Sequence, residues 1–200
     1  HVFAAQRREV LRQAVQRVRP NIIINAAAHT AVDKAESEPE LARAINVDGT
    51  RHLAEAAQTV GAAFLHISTD YVFDGKGEAP YRETDSTAPQ SVYGQTKLDG
   101  ETAALAACPR TIVLRTAWVF GEHGNNFVKT MLRLGRERDT LGIVADQFGA
   151  PTYAGDIAAA LIQIARHIAA GQPVEYGVYH FLGSPYTLSL IHISEPTRQA

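Results

Sequence analysis

Short, wholly apolar runs alternate along this chain with longer segments in which apolar residues recur every three or four positions. The short runs are typical of strands buried on both faces of a parallel sheet. They predict strands at 22–24, 63–67, 111–115, 141–144 and 179–182. The longer segments predict helices at 7–19, 37–60, 92–107, 125–136 and 155–170. This alternation favours an α/β fold, a Rossmann-like doubly wound parallel sheet covered on both faces by helices.

The second predicted helix carries start and stop signals. Ser37 and Glu40 have the spacing of a capping box, Pro39 suits a first turn, and Gly61 ends the helix. A mid-helix glycine such as Gly49 costs about 1 kcal/mol relative to alanine, so we expect close packing against a neighbour there. Asn46 is either a polar group beneath the site or a solvent-facing residue.

Chemistry-bearing residues follow the strand at 63–67. Thr69 and Asp70 come at its carboxyl end, where open α/β sheets bind ligands. Tyr93 and Lys97 follow at a spacing of four, which places both on one helix face. A neighbouring ammonium is expected to lower the pKa of Tyr93, so that the phenol exchanges a proton near neutral pH, while Thr69 holds the same substrate oxygen. The alternative is that Tyr93 covers the core and Lys97 lies on a solvated face.

Two loops also indicate a ligand site. The strand at 22–24 is followed by Asn25 and three alanines, and such small residues let a ligand approach the backbone. A merely compact turn explains them equally well. The long loop at 74–90 is rich in Gly, Pro, Asp, Ser and Thr, and loops of that length in compact domains are often functional.

Composition excludes several classes of function. The net charge of −2 gives no electrostatic case for binding nucleic acid or an anionic membrane. Cys108 is the single cysteine, which excludes an internal disulfide and a cysteine metal cluster. No apolar run approaches the roughly 18 residues of a membrane span. Asp33, Asp70, His29 and His66 do not have the spacing of a metal site, so no metal ligand is predicted.

The ends of the chain predict a gene fragment. A Gly-rich phosphate loop of the Gly-x-Gly-x-x-Gly type, expected in the first βαβ unit of a dinucleotide-binding fold, does not occur between a strand and a helix. Residues 188–200 resemble a translated sequencing adapter, the alternative being a genuine strand at 189–194. We therefore expect residues 1–187 to form a partial NAD(P)-binding domain that lacks the first βαβ units and most of the C-terminal substrate-binding part.

Six motifs in order carry a family resemblance over about residues 19–187. The chain resembles the extended short-chain dehydrogenase/reductases, and within them the dTDP-4-dehydrorhamnose reductase family. The motifs are Asn25-Ala-Ala-Ala-His-Thr-Ala-Val-Asp-Lys-Ala-Glu36, Ser68-Thr-Asp-Tyr-Val-Phe-Asp-Gly75, Tyr93-Gly-Gln-Thr-Lys-Leu-Asp-Gly-Glu101, Arg115-Thr-Ala-Trp-Val-Phe120, Asn125-Asn-Phe-Val-Lys-Thr130 and Asp146-Gln-Phe-Gly-Ala-Pro-Thr152.

The resemblance implies a reaction and a set of roles. The family transfers a hydride from NADPH, or NADH, to C4 of a 4-keto-6-deoxy sugar attached to dTDP. Tyr93 would protonate the C4 oxygen, Lys97 would hold the nicotinamide ribose, and Thr69 would polarise the carbonyl. The remaining residues that the resemblance assigns are, for the cofactor, Ala28, His29 and Thr30, and, for the substrate, Asp70, Tyr71, Trp118, Asn126, Lys129 and Gln147.

Related activities stay open. Sugar-nucleotide dehydratases of the superfamily carry a glutamate where this chain has Tyr71, which favours reduction over dehydration. Another sugar-nucleotide reductase, an epimerase and a non-catalytic regulatory subunit of this fold remain alternatives. The resemblance implies a cytoplasmic protein with no nucleic-acid or membrane partner. It leaves open a homodimer, a divalent metal and the choice between NADPH and NADH.

Overall fold

The computed structural model describes residues 2–77, 79–138, 140, 148–185 and 187–188. The chain divides into two compact units. One is built from His1–Arg115 with Leu161–His180, and the other from Thr116–Ala160 with Phe181–Ala200. Over the described ranges, no helix has the length and apolar character needed to cross a membrane.

The secondary structure follows the predicted alternation. The helices are α1 Val2–Val18, α2 Val32–Ser37, α3 Pro39–Arg43, α4 Thr50–Val60, α5 Val92–Ala107, α6 Phe127–Glu137 and α7 Ala154–Ala169. A π-helical turn, Ala44–Gly49, joins α3 to α4, and a 3₁₀ turn, Asp70–Val72, follows β2. The strands are β1 Ile22–Asn25, β2 Ala63–Thr69, β3 Thr111–Thr116, β4 Val119–Phe120, β5 Phe148–Gly149, β6 Thr152–Tyr153, β7 Gly177–His180 and β8 Thr187–Leu188.

The main sheet has the strand order β1-β2-β3-β7. β1 pairs with β2 in parallel, placing Asn25 opposite His66, and β3 pairs with β7 in parallel, placing Arg115 opposite His180. β2 and β3 are buried along almost their whole length, and polar residues that they contain, such as His66, Ser68 and Arg115, have their partners inside the protein. The predicted α/β fold with a parallel sheet is confirmed.

Helices α4 and α5 pack with β2 around a core of small side chains. Phe64 is fully buried among Ala54, Ala57, Ala104 and Cys108. Alanines allow the two helices to lie close to the strand. This close approach positions α5, the helix that carries Tyr93 and Lys97.

The predicted capping box at Ser37 is wrong. Ser37 is the last residue of α2, and its hydroxyl donates to the Lys34 carbonyl (3.0 Å). α3 begins at Pro39, and Glu38 before it has φ −127° and ψ 51°. A proline disfavours helical geometry in the preceding residue, so the chain breaks at Glu38 and starts a new helix. The predicted end of the helix at Gly61 is confirmed, with φ +71°.

The close packing expected at Gly49 is found elsewhere. A Cβ on Gly49 would come no nearer than 3.5 Å to the Ala44 carbonyl oxygen, an ordinary contact. A Cβ on Gly100 of α5, by contrast, would overlap the carbonyl oxygen of Asn46. The glycine that the close approach requires is therefore on the neighbouring helix.

The second unit contains two short strand pairs. β4 pairs with β6 in parallel and β5 with β8 antiparallel. Strands of two residues have no periodicity, so the sequence did not predict them. The predicted strand at 141–144 and residues 189–200 of the suspected adapter lie outside the described residues. Leu188, the first residue of that suspected segment, pairs with Phe148. The predicted domain division stays a prediction.

Candidate active site

Thr69 and Asp70 lie at the carboxyl end of β2, as predicted. Thr69 is the last strand residue and caps the 3₁₀ turn, its hydroxyl accepting from the Tyr71 N–H (3.2 Å). The same hydroxyl donates to Asp70 Oδ1 (3.0 Å). Burial raises the pKa of the Asp70 carboxyl, while the Thr69 hydrogen bond lowers it. The turn thus presents a hydroxyl and a carboxyl side by side.

Helix α5 brings three chemistry-bearing residues to one buried face. Ser91 caps the helix, its Oγ accepting from the Gly94 N–H (3.1 Å). Tyr93, Lys97 and Glu101 follow at intervals of one turn, and all three are buried. Lys97 is only 2% exposed, which rules out the alternative of a solvated lysine. The predicted common face of Tyr93 and Lys97 is confirmed.

Tyr93 lies beside the turn that follows β2. The rings of Tyr71 and Tyr93 meet edge to face, with centroids 5.4 Å apart and an interplanar angle of 73°. Tyr71 is 44% exposed whereas Tyr93 is 8% exposed. The structure therefore brings together Thr69, Asp70, Tyr71 and Tyr93, four of the residues predicted to act on substrate.

The predicted lowering of the Tyr93 pKa is wrong. Burial raises the pKa of Tyr93 to about 12, and a hydrogen bond with the Thr69 side chain only partly offsets this. Lys97 does not lower it, because its Nζ donates instead to the Ile67 carbonyl of β2 (2.7 Å). Tyr93 is consequently a protonated phenol at neutral pH, in the state needed to give a proton.

Lys97 is a buried amine next to a buried imidazole. Its Nζ lies 3.5 Å from His66 Nε2. Burial lowers the pKa of Lys97 to about 8, against the opposing charge of Glu101. Burial, and secondarily the charge of Lys97, lower the pKa of His66 to about 3. His66 is therefore neutral at physiological pH.

Sequence reasoning missed the connection of His66 to β1. Asn25 Nδ2 lies 3.1 Å from His66 Nδ1 and 3.4 Å from Thr50 Oγ1. Asn25 Oδ1 accepts from the Ala27 N–H (3.1 Å). A polar residue at the end of one apolar strand, Asn25, and another inside the next, His66, were the available signal, but their pairing depends on the register of β1 against β2.

The predicted cofactor-side loop after β1 is tied to α5 through Asn46. Asn46 Oδ1 accepts from the His29 N–H (2.8 Å), and Nδ2 donates to the His29 carbonyl (3.2 Å) and to Thr96 Oγ1 (3.0 Å). Asn46 is 1% exposed, so the buried interpretation is correct. Within the loop, Ala28 is half-buried and Thr30 exposed.

A buried ion pair lies one turn beyond Lys97. Arg115 contacts both carboxylate oxygens of Glu101, at 2.7 Å from Nη2 to Oε2 and 3.0 Å from Nε to Oε1. The Ser68 hydroxyl donates to the same carboxylate. The Arg115 guanidinium also stacks over Phe73, 5.1 Å from the ring centroid. These contacts fix α5 against the ends of β2 and β3.

The other predicted substrate residues belong to the second unit. Trp118 has φ +45° and packs against Gly149. Asn126 caps α6, accepting from the Lys129 N–H (3.0 Å). Lys129 Nζ donates to the carbonyls of Glu122 (2.9 Å) and Gly124 (2.8 Å). Their role in binding stays a prediction, and Gln147 lies outside the described residues.

Comparison with known protein families shows to which family this chain belongs. Residues 3–190 match the model of the RmlD substrate binding domain. The chain belongs to this family. A dTDP-4-dehydrorhamnose reductase of Aggregatibacter actinomycetemcomitans is 58% identical over 167 residues, which cover 84% of this chain and 57% of that protein.

Solved structures agree on the fold. A dTDP-4-dehydrorhamnose reductase of Clostridium acetobutylicum superposes with a TM-score of 0.87 at 42% identity, over 94% of this chain and 65% of that one. The Bacillus anthracis enzyme in complex with NADP superposes with a TM-score of 0.89 at 39% identity, over 96% of this chain and 66% of that one. The chain thus spans somewhat less than two thirds of these relatives.

Proposed function

We propose that this protein reduces the C4 keto group of dTDP-4-dehydrorhamnose with NADPH, giving dTDP-L-rhamnose. The observation that carries the proposal is the protonated, buried phenol of Tyr93 beside the Thr69 hydroxyl at the end of β2. Membership of the RmlD family and the similarity to reductases that bear this name support the choice of substrate.

The first unit has residues that suit a nicotinamide dinucleotide. The loop after β1 carries Ala26, Ala27 and Ala28, whose side chains end at Cβ, and Ala26 and Ala27 are exposed. Ala28, His29 and Thr30 would pass along the cofactor, and Lys97 would hold its ribose. When bound, the reduced nicotinamide supplies the hydride. The Bacillus anthracis relative was solved with NADP, which supports NADPH over NADH.

Tyr93 and Thr69 would act on the same substrate oxygen. Thr69 would turn its single hydroxyl hydrogen from Asp70 to the carbonyl and polarise it, and Tyr93 would deliver the proton as negative charge develops on the oxygen. A phenol kept protonated by burial suits this direction of transfer. Tyr71 stands where a dehydratase would need a carboxylate, so the site lacks that base for eliminating water.

The remaining substrate assignments are part of the proposal. Asp70 and Tyr71 would line the sugar, with Trp118 packing against it or its neighbours. Asn126, Lys129 and Gln147 are weaker candidates for the diphosphate side. Across the described ranges, no three His, Cys, Asp or Glu side chains group into a metal site.

The test is substrate-dependent oxidation of NADPH by protein made from the whole reading frame in the source DNA. Tyr93→Phe is expected to lower kcat by about 10²–10⁴-fold, the usual contribution of a proton donor, while NADPH still binds. Tyr176→Phe is the matched control, because its hydroxyl contacts Arg110 and no proposed catalytic group. Retained turnover in Tyr93→Phe would contradict the proton-donor role.

Two further outcomes separate the alternatives. Turnover only with a different 4-keto sugar nucleotide would replace the substrate and keep the chemistry. Cofactor binding without turnover on any such sugar would favour a regulatory subunit. The 200-residue chain is assayed in parallel and is expected to be inactive, since its sequence has no Gly-rich phosphate loop between a strand and a helix.

A further inference from the structure

A line of buried polar contacts runs from the loop after β1 to Lys97, and each contact constrains the next. The Ala27 N–H donates to Asn25 Oδ1 (3.1 Å). A backbone N–H can only donate, so the amide oxygen of Asn25 faces Ala27. The amide nitrogen therefore faces His66, with 3.1 Å between Asn25 Nδ2 and His66 Nδ1.

The tautomer of His66 follows from this orientation. An amide nitrogen donates and does not accept, so Nδ1 of His66 is the acceptor. His66 is fully buried, and burial holds its pKa at about 3, which leaves the ring neutral. A neutral imidazole carries one hydrogen, and here that hydrogen is on Nε2. The Nε2–H faces Lys97 Nζ at 3.5 Å.

An N–H directed at the lysine distinguishes between its two protonation states. An ammonium has no lone pair and cannot accept, whereas a neutral amine can. The second contact of Nζ, to the Ile67 carbonyl at 2.7 Å, suits both forms, since each has an N–H to donate. We propose that Asn25 is a positioning residue: it fixes the His66 tautomer and so turns toward Lys97 an N–H that favours the neutral amine over the ammonium.

Other groups near Lys97 act in known directions. On α5, Tyr93 lies one turn before it as a neutral phenol, and Glu101 one turn after it as a carboxylate that favours the ammonium. Arg115 of β3 pairs with Glu101 and offsets that charge. The Asn25–His66 pair, which favours the neutral amine of Lys97, thus acts against Glu101, which favours the ammonium. Its meaning for catalysis rests on the proposed function, in which Lys97 holds the cofactor ribose.

The first measurement needs no substitution. Nitrogen-15 NMR of the imidazole distinguishes the two tautomers of His66 in protein made from the whole reading frame. We expect the hydrogen on Nε2 throughout the neutral range. A hydrogen on Nδ1 would overturn the inference outright.

The second measurement switches the tautomer. Asn25→Asp keeps the side-chain volume and an oxygen for the Ala27 N–H, but it places an acceptor opposite Nδ1. The hydrogen should move to Nδ1, leaving Nε2 free to accept from the Lys97 ammonium. Carbon-13 NMR of Lys97 should then show its titration moving up by about one pH unit, the equivalent of one hydrogen bond. An unchanged Lys97 titration would contradict the proposal.

Two control variants isolate the cause. Thr50→Val removes the weaker partner of Asn25 and should leave the tautomer and the Lys97 titration unchanged. Asn46→Asp adds the same charge at another buried asparagine, whose side-chain hydrogen bonds go to His29 and Thr96 and not to His66. A Lys97 shift in Asn46→Asp as large as in Asn25→Asp would attribute the effect to charge alone and overturn the role of the tautomer.

The activity assay keeps this inference separate from the proposed function. In Asn25→Asp the alkaline limb of kcat/KM against pH should move upward with the Lys97 titration, whereas a merely structural defect would lower activity without moving that limb. If the Lys97 titration moved but the alkaline limb of kcat/KM did not, a role of the Asn25–His66 pair in catalysis would be contradicted. If the His66 tautomer and the Lys97 titration were as expected but no sugar was reduced, the result would support the positioning role of Asn25 and contradict the proposed reductase function.

Discussion

The carbonyl oxygen of Tyr71 occupies the space that a Cβ on Gly94 would need. The Cβ of Pro89 lies only 3.1 Å from the same point. Helix α5 therefore meets the turn after β2 backbone to backbone within its first turn. This approach brings the Tyr71 and Tyr93 rings into contact, so glycine is required here for close packing and not for a special φ.

Gly94→Ala is expected to destabilise the protein by about 1–3 kcal/mol or more, because the added methyl overlaps backbone that cannot move aside cheaply. Gly135→Ala is the matched control. Gly135 is also helical, but nothing lies within 4 Å of a Cβ built there, so the change should stabilise by about 0.5–1 kcal/mol. Urea unfolding measures both. Equal effects would contradict the close approach at Gly94.

Tyr93 should ionise only in strong alkali. Its pKa is raised to about 12, so the folded state keeps the phenol protonated while the unfolded chain ionises near pH 10. The stability that this provides is present below about pH 10 and is lost as pH rises toward 12. Spectrophotometric titration of wild type against Tyr93→Phe should show one phenol missing near pH 12. If the missing phenol titrated near pH 8 instead, Lys97 would lower the pKa of Tyr93 after all, and burial would not control it.

Acid should destabilise the fold through His66. Its folded pKa of about 3 lies below the unfolded value of about 6.5, so the unfolded chain binds a proton first as pH falls. Stability present above about pH 6.5 is then lost toward pH 3, at up to about 1.4 kcal/mol per pH unit. Urea unfolding between pH 7 and pH 4 measures the slope. His66→Gln should flatten it, and His167→Gln, on the exposed face of α7, should not.

The Glu101–Arg115 pair should behave as a unit. Arg115→Met leaves a buried carboxylate without its counter-charge and should cost about 3–5 kcal/mol. Adding Glu101→Gln to it should recover much of that loss, because an amide can still accept from Ser68. The exposed pair of Arg43 and Asp99, 2.9 Å apart, is the comparison, and Asp99→Asn should cost less than about 1 kcal/mol. If the unfolding free-energy changes of Arg115→Met and Glu101→Gln simply added in the double variant, the two side chains would not be coupled.

The sequence predicted those features that depend on neighbours along the chain. α5 spans Val92–Ala107, the range that the sequence predicts, and the spacing of Tyr93 and Lys97 correctly put both on one face. Thr69 lies at a strand end because an apolar run of ordinary strand length ends there.

The features that failed or were missed depend on residues far apart in the chain. The pKa of Tyr93 is dominated by burial, which no local spacing reveals. His66 meets Asn25 across 41 residues and Lys97 across 31. The close packing expected at Gly49 was found at Gly100 of the neighbouring helix, where the partner is the Asn46 carbonyl of another element.

The π-helical turn Ala44–Gly49 makes chain length itself a determinant of the site. Such a turn holds an additional residue compared with an α-helical turn. Deleting one residue there would convert the wide turn into a regular α-helical one, and the residues within the turn would change position while α3 and α4 kept nearly the same faces. Asn46 would then leave His29 and Thr96, the contacts that tie the loop after β1 to α5. A substitution in this segment changes the contacts of one side chain, whereas a single-residue deletion removes the turn that positions Asn46.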